Sequence, residues 1–286
     1  MREPIPVFIV HWNRPESCAR SVDAFLTQGV PVQITIVDNG SERPNLERLY
    51  ALIGNRAEVR ELGQNKGFPG ALNVVLGEWL AKDRSPYALT AAHDALPRPG
   101  CIAGLVKTLD ADSRVGIVYA EYGIGHKAQF SVLRGPYLLP HHRGTGFECQ
   151  AFPYGPLLAL RRECLQEIGL FDERYFAYYE EIDLGLRAWR HGWKVGVVWG
   201  AIVDNPESSV PSPIACYLQT RNSCLLVRNH KGLVLGMVRC MVSLFGTFLA
   251  VIMPSRRTYH FSIRARLIAI AHALIGRYGP PPPFLT

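Results

Sequence analysis

Three carboxylates crowd into four positions of this 286-residue chain: Glu180, Glu181 and Asp183, behind the aromatic stretch Phe176 to Tyr179. Neighbouring carboxylates raise one another's pKa, which poises one of them to take a proton near neutral pH. A helix start also favours acids through its dipole, so capping is the simpler use of the same cluster, although three acids are more than a cap needs. Arg187 follows Asp183 by four residues, the spacing of a helical ion pair. A second place is Asn65 to Asn73, a glycine-containing loop that enters a helix. Glycine lets backbone approach a ligand closely and a helix N-terminus attracts anions; an ordinary helix cap reads the same way. Lys66 adds positive charge there. A third place is His93-Asp94, an imidazole beside a carboxylate, and a fourth is Asp38-Asn39-Gly40, a turn that Asp38 can cap. His141, His142 and Arg143 lack the spacing of a zinc site.

The elements that must position these groups alternate. Ile5 to Val10 reads as a buried strand, His11 to Pro15 as a loop and Glu16 to Gln28 as a helix. Strand Val32–Val37, helix Leu46–Ile53, strand Ala57–Leu62 and helix Gly70–Ala81 follow, leading to the run Ala88–Ala91. Gly100–Leu109 reads as a helix and Val115–Tyr119 as a strand; Gly123–Gly146 reads as a variable loop or hairpin. Leu157–Leu160 is apolar, Arg162–Gly169 is a short helix, Ile182–His191 is a helix stopped by Gly192, and Lys194–Val198 is a strand. Such alternation predicts a mostly parallel sheet with right-handed crossovers, with ligands outside the carboxyl ends of the strands. From Pro206 the character changes: a linker to Pro213, then a helix over Ala215–Val227. Gly232–Met253 is apolar, interrupted by Arg239, and about long enough to span a bilayer; a buried or amphipathic helix is the plainer reading. Ile263–Ile275 mixes arginine with apolar residues, as an interfacial helix on an anionic leaflet does, and Pro280–Pro283 predicts a frayed end.

With 48% apolar and 19% charged residues, wholesale disorder is excluded. The net charge of +7 suits an anionic partner without choosing among nucleic acid, nucleotide phosphate and a membrane face. No motif interleaves basic and aromatic residues, so nucleic acid is not an expected partner. Seven scattered cysteines without a CxxC pair predict reduced thiols, and an N-terminus lacking a secretory apolar stretch agrees with a cytoplasmic protein.

Six patterns then occur in one order: Val10-His11-Trp12-Asn13-Arg14-Pro15; Ile36-Val37-Asp38-Asn39-Gly40-Ser41; Asn65-Lys66-Gly67-Phe68-Pro69-Gly70-Ala71-Leu72-Asn73; His93-Asp94-Ala95-Leu96-Pro97; Gly169-Leu170-Phe171-Asp172-Glu173; and Tyr179-Glu180-Glu181-Ile182-Asp183-Leu184. Over roughly residues 5 to 230 the chain resembles the family 2 inverting glycosyltransferases of the GT-A fold, in particular the bacterial rhamnosyltransferase-like branch. Tyr217–Asn222 and Leu274–Gly279 resemble members that associate with membranes.

The resemblance implies an α/β, GT-A (Rossmann-like) fold: a mostly parallel central sheet flanked by helices, with a C-terminal helical extension. Residues 1–205 would be the nucleotide-sugar-binding and catalytic domain, and 206–286 the extension, in contact with membrane. Asp38 would read a pyrimidine base through its ring N–H, and Asn13 and Arg14 would hold nucleotide and phosphate, Arg14 being equally readable as a solvated charge. Asn65, Lys66, Gly67, Asn73 and His93 would complete the donor site. Asp94 would contact a divalent cation, Mn2+ or Mg2+, that bridges the diphosphate and stabilises its growing charge. The family usually shows an Asp-x-Asp-like motif here; His93-Asp94-Ala95 has one acid, so either metal affinity is low or His93 supplies a ligand, which tilts the choice to Mn2+. Asp204 stands where relatives often carry a histidine and is a candidate second metal ligand. Glu181 takes the position of the family's catalytic base, Glu180 shapes the acceptor site, and Asp183 either joins that site or is structural. Tyr154 and Gly155 fall in the sugar and acceptor pocket, and Arg221 with Asn222 either approaches the diphosphate or joins the tail to the core.

The expected function is therefore inverting transfer of a sugar from a UDP- or dTDP-sugar, dTDP-rhamnose among them. The acceptor would be the hydroxyl of a glycan, a lipid-linked molecule or a small natural product, in the cytoplasm or on the inner face of the cell membrane. The alternatives are a catalytically weak nucleotide-sugar-binding protein of the same fold, or a sugar-phosphate nucleotidyltransferase. The latter's Gly-rich, Arg- and Lys-containing signature does not occur before Asp38.

Overall fold

A strand covered on both faces reads as a near-continuous apolar run, and the first one does up to its closing histidine: all seven residues of β1 (Ile5–His11) are buried. Successive side chains point to opposite faces, so Ile5, Val7 and Ile9 enter one core while Phe8 and Val10 enter another. A computed structural model describes residues 3–82, 85–122, 125–206 and 212–285. After β1 come α1 (Pro15–Leu26), β2 (Val32–Asp38), α2 (Arg43–Ile53), β3 (Glu58–Glu61), α3 (Gly67–Lys82), β4 (Tyr87–Ala92), β5 (Leu96–Pro97), α4 (Cys101–Ala111) and β6 (Val115–Tyr122). A hairpin follows, β7 (His126–Ser131) with β8 (Gly135–Pro140), then β9 (Gly146–Cys149), β10 (Leu157–Arg161), α5 (Arg162–Ile168), α6 (Glu180–Arg190) and β11 (Lys194–Asp204). Three helices close the chain: α7 (Pro213–Lys231), α8 (Leu233–Ile252) and α9 (Ile263–Leu274).

The nine-stranded sheet has the order β3-β2-β1-β4-β10-β6-β11-β5, with β9 also on β11. Strands β3, β2, β1 and β4 are mutually parallel, as are β6 and β11; β10 runs against both of its neighbours. One face is covered by α1, α2 and α4 through Val22, Phe25, Leu49, Ile102 and Leu105. The other is covered by α3, α5 and α6 through Leu72, Leu76, Leu165, Leu184 and Ala188. This is the α/β sandwich with a largely parallel sheet that the alternation predicts. The carboxyl ends of β1, β2, β4 and β6 therefore share one edge, where loops at residues 11–14, 38–42 and 93–95 emerge.

Three local differences matter. Helix α3 begins at Gly67, not Gly70, because Pro69 is tolerated in a first turn. Helix α6 begins at Glu180, so all three acids lie in its first turn. The C-terminus is docked rather than frayed: Leu285 is buried against Cys216, Tyr217 and Ala269. Helix α7, started by Pro213 behind the Ser212 cap, is buried along most of its length. Its Leu225 and Leu226 pack on Phe152, Tyr175 and Ile182. Most of the linker expected over 206–213, and Gly123 at the start of the expected hairpin, lie outside the described residues.

Candidate active site

The adjacent ends of β1 and β2 bring His11 and Asp38 into register. His11 Nε2 accepts the Arg14 backbone N–H at 3.2 Å, so its Nδ1 carries the proton and donates it to Asp38 Oδ1 at 2.9 Å. The Ser41 N–H donates to Asp38 Oδ2 at 3.1 Å. Burial pushes the Asp38 carboxyl up, but these hydrogen bonds outweigh it and hold the group below the usual carboxylate range. Asp38 is 2% exposed and does not line the cleft described below. Asn13, at φ +54°, accepts from the Glu42 N–H at 2.8 Å and Asn45 Nδ2 at 3.0 Å, tying the two loops together. The Arg14 side chain is exposed. His11 is a residue whose part sequence reasoning missed; its only signal was a histidine closing an apolar run.

The next loop is clamped from below. Asn39 Oδ1 accepts from the Lys66 N–H at 2.8 Å, and Asn39 Nδ2 donates to Asn65 Oδ1 at 3.0 Å. Gly67 has φ +77°, and a Cβ there would collide with the Phe176 carbonyl, which already accepts from the Phe68 N–H at 2.7 Å. Lys66 is exposed. Asn73, expected in the donor site, does something else: its Nδ2 donates to the Phe171 carbonyl at 2.9 Å and its Oδ1 accepts from the Phe171 N–H at 3.0 Å. Both ends of the amide hold the 171–173 segment, which leaves neither for a ligand.

Past β4, Ala92, His93 and Asp94 line a cavity of about 970 Å3 together with Asn13, Arg14 and Tyr178. The His93 ring stands edge-on to His11 at 6.4 Å. Ala92 and Tyr178 also line an adjoining cavity of about 220 Å3, walled by Phe68, Gly155, Glu180 and Glu181. Asp94 and Glu181 thus line adjoining cavities that share Ala92 and Tyr178 as walls. Tyr122 and Asn205 join the larger of them to a further cavity of about 520 Å3 lined by Tyr154 and Asp204. Gly155, at φ +119°, lies 3.3 Å from the Tyr122 Cβ by its own missing Cβ, and the Tyr154 ring tilts against Tyr122 at 5.9 Å.

The carboxylates of α6 hang from an unusual loop. Phe176, Tyr178 and Tyr179 have φ of +65°, +66° and +79°, each a strained conformation for a residue with a side chain. Asn222 of α7 holds them there: its Nδ2 donates to the carbonyls of Tyr175 at 2.9 Å and of Ala177 and Tyr178 at 2.8 Å. Arg221 is fully buried beside it and donates to the carbonyls of Gly279 at 2.6 Å and Tyr175 at 3.1 Å. The expectation that Arg221 contacts a diphosphate is thereby corrected; every edge of its guanidinium faces protein, and the tail-to-core role is the one observed. Asp183 is corrected in the same way. It is 2% exposed, accepts from Arg187 Nε and His230 Nε2 at 2.8 Å, and lines no acceptor pocket.

Glu180 is buried, and one of its oxygens has no hydrogen-bond partner. Burial, and then the neighbouring Glu181 charge, push its pKa well above the ordinary value. Glu181 is pushed up to about 7 by burial, partly offset by backbone N–H groups at the helix start. Burial thus moves one glutamate of the cavity toward the range in which a general base works best.

The metal expectation meets a sparse donor set. Asp204 forms a two-pronged ion pair with Arg98, at 2.6 and 2.8 Å, so a guanidinium occupies the edge a cation would need. Among the described residues no group of three His, Cys, Asp or Glu is close enough to share an ion. Asp94 and His93 remain, both on the cleft wall. One carboxylate with an imidazole fits a cation that takes most of its ligands from a bound diphosphate and water.

Comparison with known proteins bears on the family and the fold. The model of glycosyl transferase family 2 matches residues 7–169, more than half of the chain. The chain is 26% identical over 230 residues to an N-acetylglucosaminyl-diphospho-decaprenol L-rhamnosyltransferase of Mycobacterium tuberculosis, covering 68% of this chain and 73% of that protein. Among solved structures, GalNAc-T7 with UDP, GalNAc and Mn2+ superimposes with a TM-score of 0.64 at 15% identity, covering 95% of this chain; the chain spans 56% of that protein's length. A mannosyltransferase of Pyrobaculum calidifontis with GDP-Man and Mn2+ gives 0.58 at 16% identity, covering 96% of this chain and 88% of that one. Residues 1–349 of S. aureus TarS give 0.56 at 14% identity, with 96% and 82% covered. The fold is that of the GT-A glycosyltransferases.

Proposed function

The chain belongs to glycosyl transferase family 2 and is a glycosyltransferase; we propose that it transfers its sugar with inversion, from a UDP- or dTDP-sugar to a hydroxyl of a lipid-linked acceptor, with Glu181 as base. The observation that carries this reading is the pair of glutamates at the start of α6, walling a cavity that shares Ala92 and Tyr178 with the cavity of the Asp94 turn; burial pushes the Glu181 carboxyl up to about 7. Glu181 accepts the proton of the acceptor hydroxyl as its oxygen attacks the anomeric carbon; the bond from that carbon to the diphosphate breaks and the nucleoside diphosphate leaves. Attack from the face opposite the leaving group inverts the centre. Glu180, buried beside it, has its own carboxyl pushed well above the ordinary value by burial and then by the Glu181 charge, so the pair shares protons as a unit. Arg14 and Lys66, both exposed at the cleft loops, supply positive charge for phosphate, and Tyr154 and Gly155 border the sugar. Asp94 with His93 would hold a divalent cation, Mn2+ or Mg2+, which when bound neutralises charge on the departing diphosphate.

The lipid-linked acceptor is supported by the mycobacterial relative's substrate and by the exposed apolar side of α8, which is long and apolar enough to cross a membrane. Peripheral attachment to the inner face of a cell membrane follows from that side and the arginines that flank it, Arg256, Arg257 and Arg264. A second reading, a nucleotide-sugar-binding protein with little turnover, draws on the single acid of the His93-Asp94-Ala95 turn. Thermal-shift screening of UDP-, dTDP- and GDP-sugars with and without Mn2+, followed by donor hydrolysis, separates the two. A stabilising nucleotide-sugar that is also consumed supports transfer; one that is bound but never consumed supports the second reading, and no shift with any donor removes both.

A further inference from the structure

Arg239 on α8 and Arg266 on α9 approach each other with no carboxylate between them. Neither makes an ion pair among the described residues, and the Arg239 charge acts on Arg266. Arg239 Nε donates to Ser223 Oγ at 3.3 Å, and Arg266 Nε to Thr247 Oγ1 at 2.7 Å. Burial lowers the Arg266 pKa, so its charge is held at a cost that a bound anion would remove. Both guanidinium groups line a cavity of about 220 Å3 between α7, α8 and α9, whose other walls include the hydroxyls of Thr220, Ser223 and Ser243. Ser223 Oγ donates to the Thr220 carbonyl at 3.0 Å and Arg239 Nη1 to the Leu133 carbonyl, so a phosphate or diphosphate would be received by the remaining N–H groups of the two guanidinium forks.

Two neighbours narrow the ligand. The cavity is also lined by Tyr179, the residue that caps α6 two positions before Glu181, so it backs directly onto the catalytic loop. On the far side of the helix that carries Arg239 and Ser243, Val234, Met241, Phe245, Phe248 and Ile252 are 59% exposed or more. The cavity thus lies between the loop that leads to the base and a helix whose opposite side is apolar and uncovered. We propose that this cavity binds the phosphoryl group of a lipid-phosphate acceptor, with the hydrocarbon on the exposed side of α8 and the sugar end directed past the 176–179 loop. The proposal rests on the lipid-linked acceptor proposed above and gives it a location.

The test is binding of the full chain to three probes: phosphatidylcholine vesicles carrying farnesyl diphosphate, phosphatidylcholine vesicles carrying phosphatidylglycerol, and inorganic pyrophosphate in solution. Arg239→Gln and Arg266→Gln, which keep a hydrogen-bond donor for Ser223 and Thr247, are each expected to weaken the farnesyl diphosphate vesicles about tenfold, with Arg239→Lys intermediate. Phosphatidylglycerol vesicles should bind the wild type more weakly and respond little to either change. Equal binding of variants and wild type, or equal binding of both vesicle types, overturns the site. Pyrophosphate binding as tightly as the farnesyl diphosphate vesicles overturns the lipid part. A nucleotide-sugar titration of the same proteins keeps the two claims apart. A wild type that binds farnesyl diphosphate but no nucleotide-sugar retains the cavity assignment and sinks the donor reading; a variant that loses both ligands together and melts early is replaced by Arg239→Lys, whose unchanged vesicle affinity would itself count against the site.

Discussion

Glu181 and Glu180 set the pH behaviour of the account. A base must be unprotonated, so kcat/KM should rise with pH through a limb near 7 and level off above it; the pH–rate profile at subsaturating acceptor measures this. Both glutamates have folded-state pKa values above their ordinary 4.5, so the folded chain binds these protons more tightly than the unfolded one. Their stabilising contribution is therefore present below about pH 4.5; that of Glu181 is lost as pH rises through about 7, and that of Glu180 as pH rises through its own raised value. Glu180→Gln, which removes a buried charge while keeping shape, should accordingly raise the denaturation midpoint at about pH 8 and change it little at about pH 5. A midpoint shift of equal size at both pH values would contradict the burial argument. Residue by residue, the sequence was legible where a side chain acts locally: the acids of Tyr179-Glu180-Glu181 lie in the first turn of α6, on the cleft. It was not legible where the partner is remote. Asn73 meets Phe171 across 98 positions, Asp183 meets His230 across 47 and Arg221 meets Tyr175 across 46. Nothing in the neighbouring residues tells such a clasp from a ligand-binding group.

At the scale of elements, the strained loop 176–179 and the helix behind it act together. Asn222 Nδ2 reaches the carbonyls of Ala177 and Tyr178 in that loop and of Tyr175 just before it, the last of which also accepts from Arg221 at 3.1 Å and the Ala177 N–H at 2.8 Å. Asn222→Ala should cost about 3 kcal/mol of stability, a loss visible in urea denaturation. The same change should lower kcat far more than it changes donor affinity, because it frees the loop that aims Glu181. Unchanged kcat with reduced stability would confine Asn222 to folding. Apolar runs and turn signals located nearly every helix and the long strands from sequence. Direction was hidden: the run Leu157–Leu160 is equally apolar whether β10 runs with or against β4, and it runs against. The short β5 and β9 pair with β11 through backbone groups that leave no side-chain pattern.

For the whole molecule, the cleft arises because parallel strands deliver their loops to one edge, and that edge was predictable from the alternation of strands and helices. Which of those loops face the cleft was not; Asp38 ends its strand hydrogen-bonded to His11 Nδ1 instead of in the wall. Asp94→Ala should weaken nucleotide-sugar binding in the presence of Mn2+ and leave the metal-free affinity nearly unchanged, as calorimetry with and without chelator would read. Equal metal dependence in wild type and variant would take Asp94 out of the site. The central claim, that Glu181 removes the acceptor's proton in a cleft that holds the donor, is tested most directly by comparing Glu181→Gln with wild type for turnover and donor affinity in parallel. The account predicts that kcat falls by about 10²- to 10⁴-fold while the donor Kd stays within about threefold; a variant that keeps most of its turnover would contradict it.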